Sequence, residues 1–203
     1  FFMNSIDPFR VKDFEKCVEF HGHICPGLSI GYRASQAGME WLKEHRAEDE
    51  EIVAIVETNA CGADAVQVLT GCTFGKGNFF FKDYGKQVLT LISRKSGDGI
   101  RVALKSGALD LPEEHKQLMG KIRTGQATET EKERFQVLHH ERAREILTKP
   151  LEGLFELTPV NTPLPPKAVI EPSILCEKCG EPTMGSKLTD SDGKKLCGDC
   201  LQK

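Results

Sequence analysis

Residues 17–31 read CVEFHGHICPGLSIG and place two cysteines, two histidines and a proline within fifteen positions. Thiol and imidazole groups are side chains that transition metals bind readily. Cys17, Val18 and His21 recur at the spacing of one helical face, in a helix that we expect to begin at Pro8. This periodicity predicts that His21 faces inward from the last turn of the helix.

The turn that follows is specified by glycine and proline. We expect Gly22 to end the first helix and a second helix to run from about residue 28 to 44. The residue before a proline is driven out of the helical region, so Cys25 is predicted to be extended before Pro26. The stretch therefore predicts two helices joined by a turn that carries potential metal ligands.

Outward from this stretch, the pattern alternates between helical and extended segments. The predicted elements are a strand at 51–57, a helix at 61–70, a β-meander from 79–81 that ends in a hairpin of 87–94 and 100–105, helices at 112–123 and 129–147, and a short strand at 154–157. Together they predict an α+β core, with helices packed on a mostly antiparallel sheet, in residues 1–158. Trp41 is expected to anchor this core, and His115 and His139 to be solvated.

Residues 159–172 form a proline-rich segment that favours an extended linker. After it, residues 173–203 carry two Cys-x2-Cys pairs, Cys176 with Cys179 and Cys197 with Cys200. Four thiolates with this spacing are typical of a closed, structural zinc site in a treble clef or a zinc ribbon. The alternative is two redox-active or disulfide-bonded pairs.

Further metal-ligand candidates lie in the core: His21, His23, Cys25, Cys61 and Cys72. A site built from His21, Cys61 and either His23 or Cys25 would leave one position of a zinc or another transition metal open, as in catalytic sites. Cys72 can join only if Gly71 turns the chain back, because along one helix it would lie about 16 Å from Cys61. The alternative is that these cysteines are buried apolar residues and the histidines only form hydrogen bonds.

Two residues of the helix at 61–70 are candidates for catalysis. A helix start favours the thiolate form of Cys61. Asp64 lies one turn later and can orient a metal-bound histidine or act as a base. The equally simple alternative for Asp64 is an acidic residue that the helix dipole favours in the first turn.

Composition limits the partners and the compartment of this 203-residue chain. A net charge of −3 and a pI near 6.1 give no bulk attraction to nucleic acid. No apolar run reaches the roughly 18 residues that a membrane span needs, and the N-terminal residues lack the pattern of a signal peptide. We therefore expect a cytoplasmic protein that binds neither membrane nor nucleic acid.

Two motifs together carry a resemblance. HGHICPG at 21–27 and CGADAVQVLTGCTFGKGN at 61–78 resemble the FmdE family of formylmethanofuran dehydrogenase, and the four-cysteine module is similar to a zinc finger that some members append. The resemblance covers residues 10–160 and 173–203. It implies a dimeric α+β core with a metal site built from residues 21–25 and the Cys61 region.

The resemblance also implies an association with molybdenum or tungsten formylmethanofuran dehydrogenase, which reduces carbon dioxide to a formyl group. The chain shows no pterin-binding or iron–sulfur signature, so the resemblance implies no redox step by this chain alone. An accessory subunit or a small metal-dependent enzyme is the expected function. The alternative is a non-catalytic module for protein interaction or metal delivery, whose zinc finger docks a partner.

Overall fold

The computed structural model describes residues 7–203, which form two compact units, one ending at Lys167 and the other spanning Ala168–Lys203. The helices of the described chain are α1 (Lys12–His21), α2 (Pro26–Leu42), α3 (Gly62–Thr70), α4 (Glu113–Arg123), α5 (Glu129–Thr148), α6 (Leu151–Leu154) and α7 (Gly198–Leu201). Its strands are β1 (Ile52–Val56), β2 (Phe79–Phe81), β3 (Val88–Ser93), β4 (Gly99–Leu104), β5 (Phe155–Val160), β6 (Ser173–Leu175), β7 (Pro182–Met184), β8 (Thr189–Ser191) and β9 (Lys194–Leu196).

The first unit is built on a five-stranded sheet with the order β2-β1-β3-β4-β5. The β-branched run of β1 is buried at every position, as expected for a strand in the middle of a core. Strands β1, β3, β4 and β5 pair antiparallel, which confirms the predicted α+β class and the hairpin of β3 and β4.

One strand pairing differs from the prediction. Strand β2 pairs with β1 in parallel, so the expected meander from residue 79 is wrong at its first strand. Parallel neighbours need a crossover connection, and α3 supplies it between β1 and β2. This crossover places the start of α3 just beyond the carboxyl end of β1.

The first predicted helix is interrupted. Residues Pro8–Arg10 form a 3-10 turn capped by the Asp7 carboxylate, which accepts a hydrogen bond from the Phe9 amide at 3.2 Å. Val11 is then extended, and α1 begins at Lys12. The break allows Phe9 and Phe14 to enter the same buried cluster, with ring centroids 6.2 Å apart.

Helices α2 and α3 pack unusually closely through glycine. A Cβ atom on Gly31 would lie 2.2 Å from the carbonyl oxygen of Gly62, so no larger residue fits there without movement. Gly38, two turns further along α2, approaches the Leu91 side chain of β3 in the same way. This confirms that the small-residue face of α2 admits a close neighbour, and it makes α2 the link between the sheet and α3.

Two predicted environments are wrong. His115 is 2 % exposed because α4 packs this face against α5, where its Nε2 lies 3.4 Å from Nδ1 of His139. Burial lowers the pKa of both histidines, so the pair is favoured in its neutral form. Trp41 is not a core anchor, since 38 % of it is exposed at the surface of α2.

Within residues 7–203, no helix combines the length and apolar character that a membrane span requires. The longest, α5, is rich in charged residues and begins with a capping box formed by Thr128 and Glu131.

Candidate metal centres

A first group of ligand atoms lies where α1, α2 and α3 meet. His21 is the last residue of α1, Cys25 is the N-cap of α2, and Cys61 is the N-cap of α3. Their ligand atoms all lie within 4.8 Å of one another, and Nε2 of His21 is 3.8 Å from Sγ of Cys25. Two ligands of one tetrahedral zinc ion lie about 3.5 Å apart, so the side chains are already close to the spacing that zinc needs.

Asp64 fixes the orientation of the histidine. Its Oδ2 lies 2.7 Å from Nδ1 of His21, so the carboxylate accepts the Nδ1 proton and leaves the Nε2 lone pair facing the two thiols. Metal-binding histidines commonly use such a carboxylate to set their tautomer and raise their basicity. Of the two uses predicted for Asp64, this geometry favours the orienting one.

Cys25 is held by local backbone geometry. It is extended, with φ −150° and ψ 162°, as the following proline predicts, and its Sγ accepts a hydrogen bond from the Leu28 amide at 3.3 Å. Burial raises the pKa of the Cys25 thiol, and the neighbouring Cys61 raises that pKa further. Since metals bind the thiolate, zinc binding here releases a proton.

Two glycines make room for the cysteines, a role that was not predicted from the sequence. A Cβ atom on Gly27 would lie 3.1 Å from Cβ of Cys61, and Gly62 touches the backbone of α2 at Gly31. Gly27 and Gly62 each lie within two residues of a cysteine in the chain. The repeated pairing of cysteine with glycine was therefore the available signal.

The remaining predicted ligands of the core lie outside this group. His23 is exposed, and its ring centroid is 4.5 Å from that of His21. Cys72 is fully buried in the main core, where its thiol donates to the Ile52 carbonyl oxygen at 3.3 Å and burial raises its pKa to about 11. Cys17, expected to be a core residue, is also fully buried, and burial raises its pKa to about 11.

The second group consists of the four cysteines of the second unit. Cys176 and Cys179 lie in the turn between β6 and β7, Cys197 follows β9, and Cys200 lies in α7. Their sulfur atoms all lie within 4.8 Å of one another, with Sγ of Cys179 3.9 Å from Sγ of Cys197. This is close to the separation of about 3.8 Å that a tetrahedral zinc–thiolate site imposes.

Backbone amides prepare this second group for a metal. The amides of Cys179 and Cys197 point at the sulfur of Cys176 and lower its pKa to about 6, which stabilises the thiolate. Two partly buried leucines, Leu188 and Leu196, pack against the cysteines. A unit of this size needs a metal or a similar crosslink to fold stably, so the cysteines are suited to a structural zinc.

Comparison with known proteins agrees with these centres. A profile of the FmdE family, described as "FmdE, Molybdenum formylmethanofuran dehydrogenase operon", matches residues 20–156. A solved structure of an FmdE-like protein of tungsten formylmethanofuran dehydrogenase, from Syntrophus aciditrophicus, superposes with a TM-score of 0.59 and 27% sequence identity. The alignment covers 92% of this chain and 89% of that chain.

A curated relative comes from Archaeoglobus fulgidus and is named "Probable S-adenosyl-L-methionine-binding protein". It is 34% identical over 189 residues, which cover 90% of this chain. The chain spans about half the length of that relative, 50% by residue count. The ligand in the relative's name therefore describes the longer protein.

Proposed function

Because the chain belongs to the FmdE family, we propose that His21, Cys25 and Cys61 form the active centre of a metal-dependent protein and that the four-cysteine unit is a structural zinc finger. The observation that carries the proposal is the difference in ligand number between the two groups. Four sulfurs complete a tetrahedron, whereas one nitrogen and two sulfurs leave one position open for water or substrate.

The residues around the first centre have distinct tasks in this proposal. A zinc ion held there would supply a Lewis acid that polarises a carbonyl or phosphoryl oxygen of a substrate. The two thiolates balance its charge, and Asp64 keeps the proton of His21 on Nδ1. His23 is exposed beside His21, so its imidazole can exchange a hydrogen bond or a proton with a molecule that reaches the centre.

The family description supports a place beside a molybdenum or tungsten formylmethanofuran dehydrogenase, as an accessory subunit or as a small enzyme that serves it. The homodimer that the resemblance implies and the cytoplasmic location that the composition predicts are part of this proposal. The redox step is left to the partner enzyme, because the sequence carries no pterin-binding or iron–sulfur signature.

Cobalt substitution tests for the open position. Co²⁺ replaces Zn²⁺ in thiolate sites, and its visible spectrum reports the ligand set. We expect azide to change the spectrum of the Co²⁺-loaded native protein and to leave the spectrum of Co²⁺-loaded Cys61→Ala unchanged, since only the closed finger then holds cobalt. A native spectrum that does not respond to azide, or an equal response in Cys61→Ala, contradicts an open first centre.

Replacing the orienting carboxylate tests its proposed role. Asp64→Asn preserves the shape of the side chain but removes the acceptor that fixes the His21 tautomer. We expect the first centre to lose about 10- to 100-fold in zinc affinity, measured by competition with a chromophoric chelator, while the affinity of the finger is unchanged.

Asp13→Asn is a matched control, because Asp13 is an exposed carboxylate of α1 that pairs with Lys16. The control is expected to bind both zinc ions like the native protein. If Asp64→Asn and the control weaken zinc binding equally, Asp64 does not orient the ligand.

A second candidate function is that of a docking or metal-delivery module. It is supported by exposed apolar side chains in the second unit, namely Val169, Ile170 and Leu175, which are 64, 103 and 61 % exposed. In that case the first centre only holds or passes on its metal. The azide experiment separates the two functions, because the docking module requires no exchangeable position at the first centre.

A further inference from the structure

A cavity of about 530 Å³ lies between the carboxyl-terminal half of α2, helix α6 and strand β5. Its volume is within the range of about 300–1,000 Å³ that small-molecule sites occupy. Apolar side chains form its walls, among them Trp41, Leu151 and Phe155. Trp41 lies sixteen residues after Cys25 along α2, about 24 Å from the first metal centre, so the cavity is a separate feature of the molecule.

The charged residues of the lining are mostly acidic. Glu40, Glu152 and Glu156 line the cavity with one lysine, Lys105, which gives the lining a net charge of −2. The ammonium of Lys105 donates to the backbone carbonyl oxygen of Glu152 at 2.7 Å, so it is attached to the rim of the cavity. The cavity therefore presents apolar walls and excess negative charge to a ligand.

Arg33 is a further cation whose charge acts on this region. It lies close enough for Glu40 and Glu152 to influence its pKa, but it does not line the cavity. Its guanidinium donates to the Gln36 side chain and to the Lys149 carbonyl oxygen, both at 2.8 Å. The arginine is thus held within the protein and leaves the negative charge of the lining available to a ligand.

We propose that this cavity binds a small organic cation with a flat apolar body. The indole of Trp41 offers the aromatic face to which cations bind most strongly, and the carboxylates of Glu40 and Glu156 supply the opposite charge. A second copy of the chain is a poorer occupant, because a symmetric contact through this lining would bring like-charged carboxylates together.

The test uses two probes of the same shape and different charge, phenylguanidinium and phenylurea. Trp41 is the single tryptophan of the chain, so its fluorescence reports on the cavity directly. We expect phenylguanidinium to produce a saturable change in the emission of the full chain. Phenylurea is expected to bind at least roughly tenfold more weakly, because it lacks the charge.

Substitutions locate the binding. The double variant Glu40→Gln, Glu156→Gln is expected to raise the dissociation constant of phenylguanidinium by roughly tenfold. Glu133→Gln, which alters an exposed glutamate of α5, is expected to leave it unchanged. Both glutamates of the double variant are exposed, so it is expected to fold like the native protein.

Several outcomes would overturn the proposal. Equal binding of the two probes, no saturable change in emission, or an unaltered dissociation constant in the double variant would each show that the cavity does not select a cation. A Trp41 emission that depends on protein concentration, together with a dimer in sedimentation that phenylguanidinium does not disturb, would show that a second copy covers the cavity.

Discussion

Cys61→Ala is expected to contain about one equivalent of zinc per chain, whereas the native protein is expected to contain about two. The substitution removes one of three ligands from the first centre, and His21 with Cys25 alone cannot hold the ion tightly. The four sulfurs of the finger lie in the other compact unit and are untouched. Elemental analysis of protein purified without added metal measures the difference.

Cys72→Ala is the matched control for this experiment. Cys72 was also predicted as a ligand, but its thiol donates to the Ile52 carbonyl inside the core. We therefore expect Cys72→Ala to retain both equivalents and to lose only some stability. Retention of two equivalents in Cys61→Ala would refute Cys61 as a ligand, and loss of one in Cys72→Ala would bring Cys72 into the centre.

Local chemistry explains which features the sequence could predict. Gly22 and Gly71 end their helices in left-handed conformations, with φ +96° and +74°, as their positions after apolar-periodic segments indicated. The four cysteines of the second unit come together because each pair is fixed by its own short turn. These features depend on a few neighbouring residues, so the sequence alone contains the required information.

Features that depend on distant parts of the chain were predicted less well. The parallel pairing of β2 follows from where α3 packs, and nothing in the three phenylalanines of β2 indicates its direction. The environment of His115 depends on which face of α4 meets α5, and charged neighbours concealed that face. Choosing among the five predicted ligands of the core likewise required the packing of three helices.

Gly31→Ala is expected to show how strongly the metal centre depends on that packing. The new methyl carbon would lie 2.2 Å from the carbonyl oxygen of Gly62 and 2.4 Å from its Cα, so α2 and α3 must move apart. We expect a loss of about 3 kcal/mol in the free energy of unfolding, measured by urea denaturation of the core. Because Cys25 and Cys61 begin these two helices, the zinc affinity of the first centre is expected to fall more than roughly tenfold.

Gly120→Ala is the control, because a Cβ atom at this position in α4 meets no atom within 4 Å. There the substitution removes only the backbone freedom of a helical glycine, and a gain of about 0.5–1 kcal/mol in the free energy of unfolding is expected. If Gly31→Ala lowers stability but leaves zinc binding at the first centre unchanged, the cysteines can reach the ion without the close approach of the helices. A joint loss instead means that the glycine contact sets the distance between the two sulfurs.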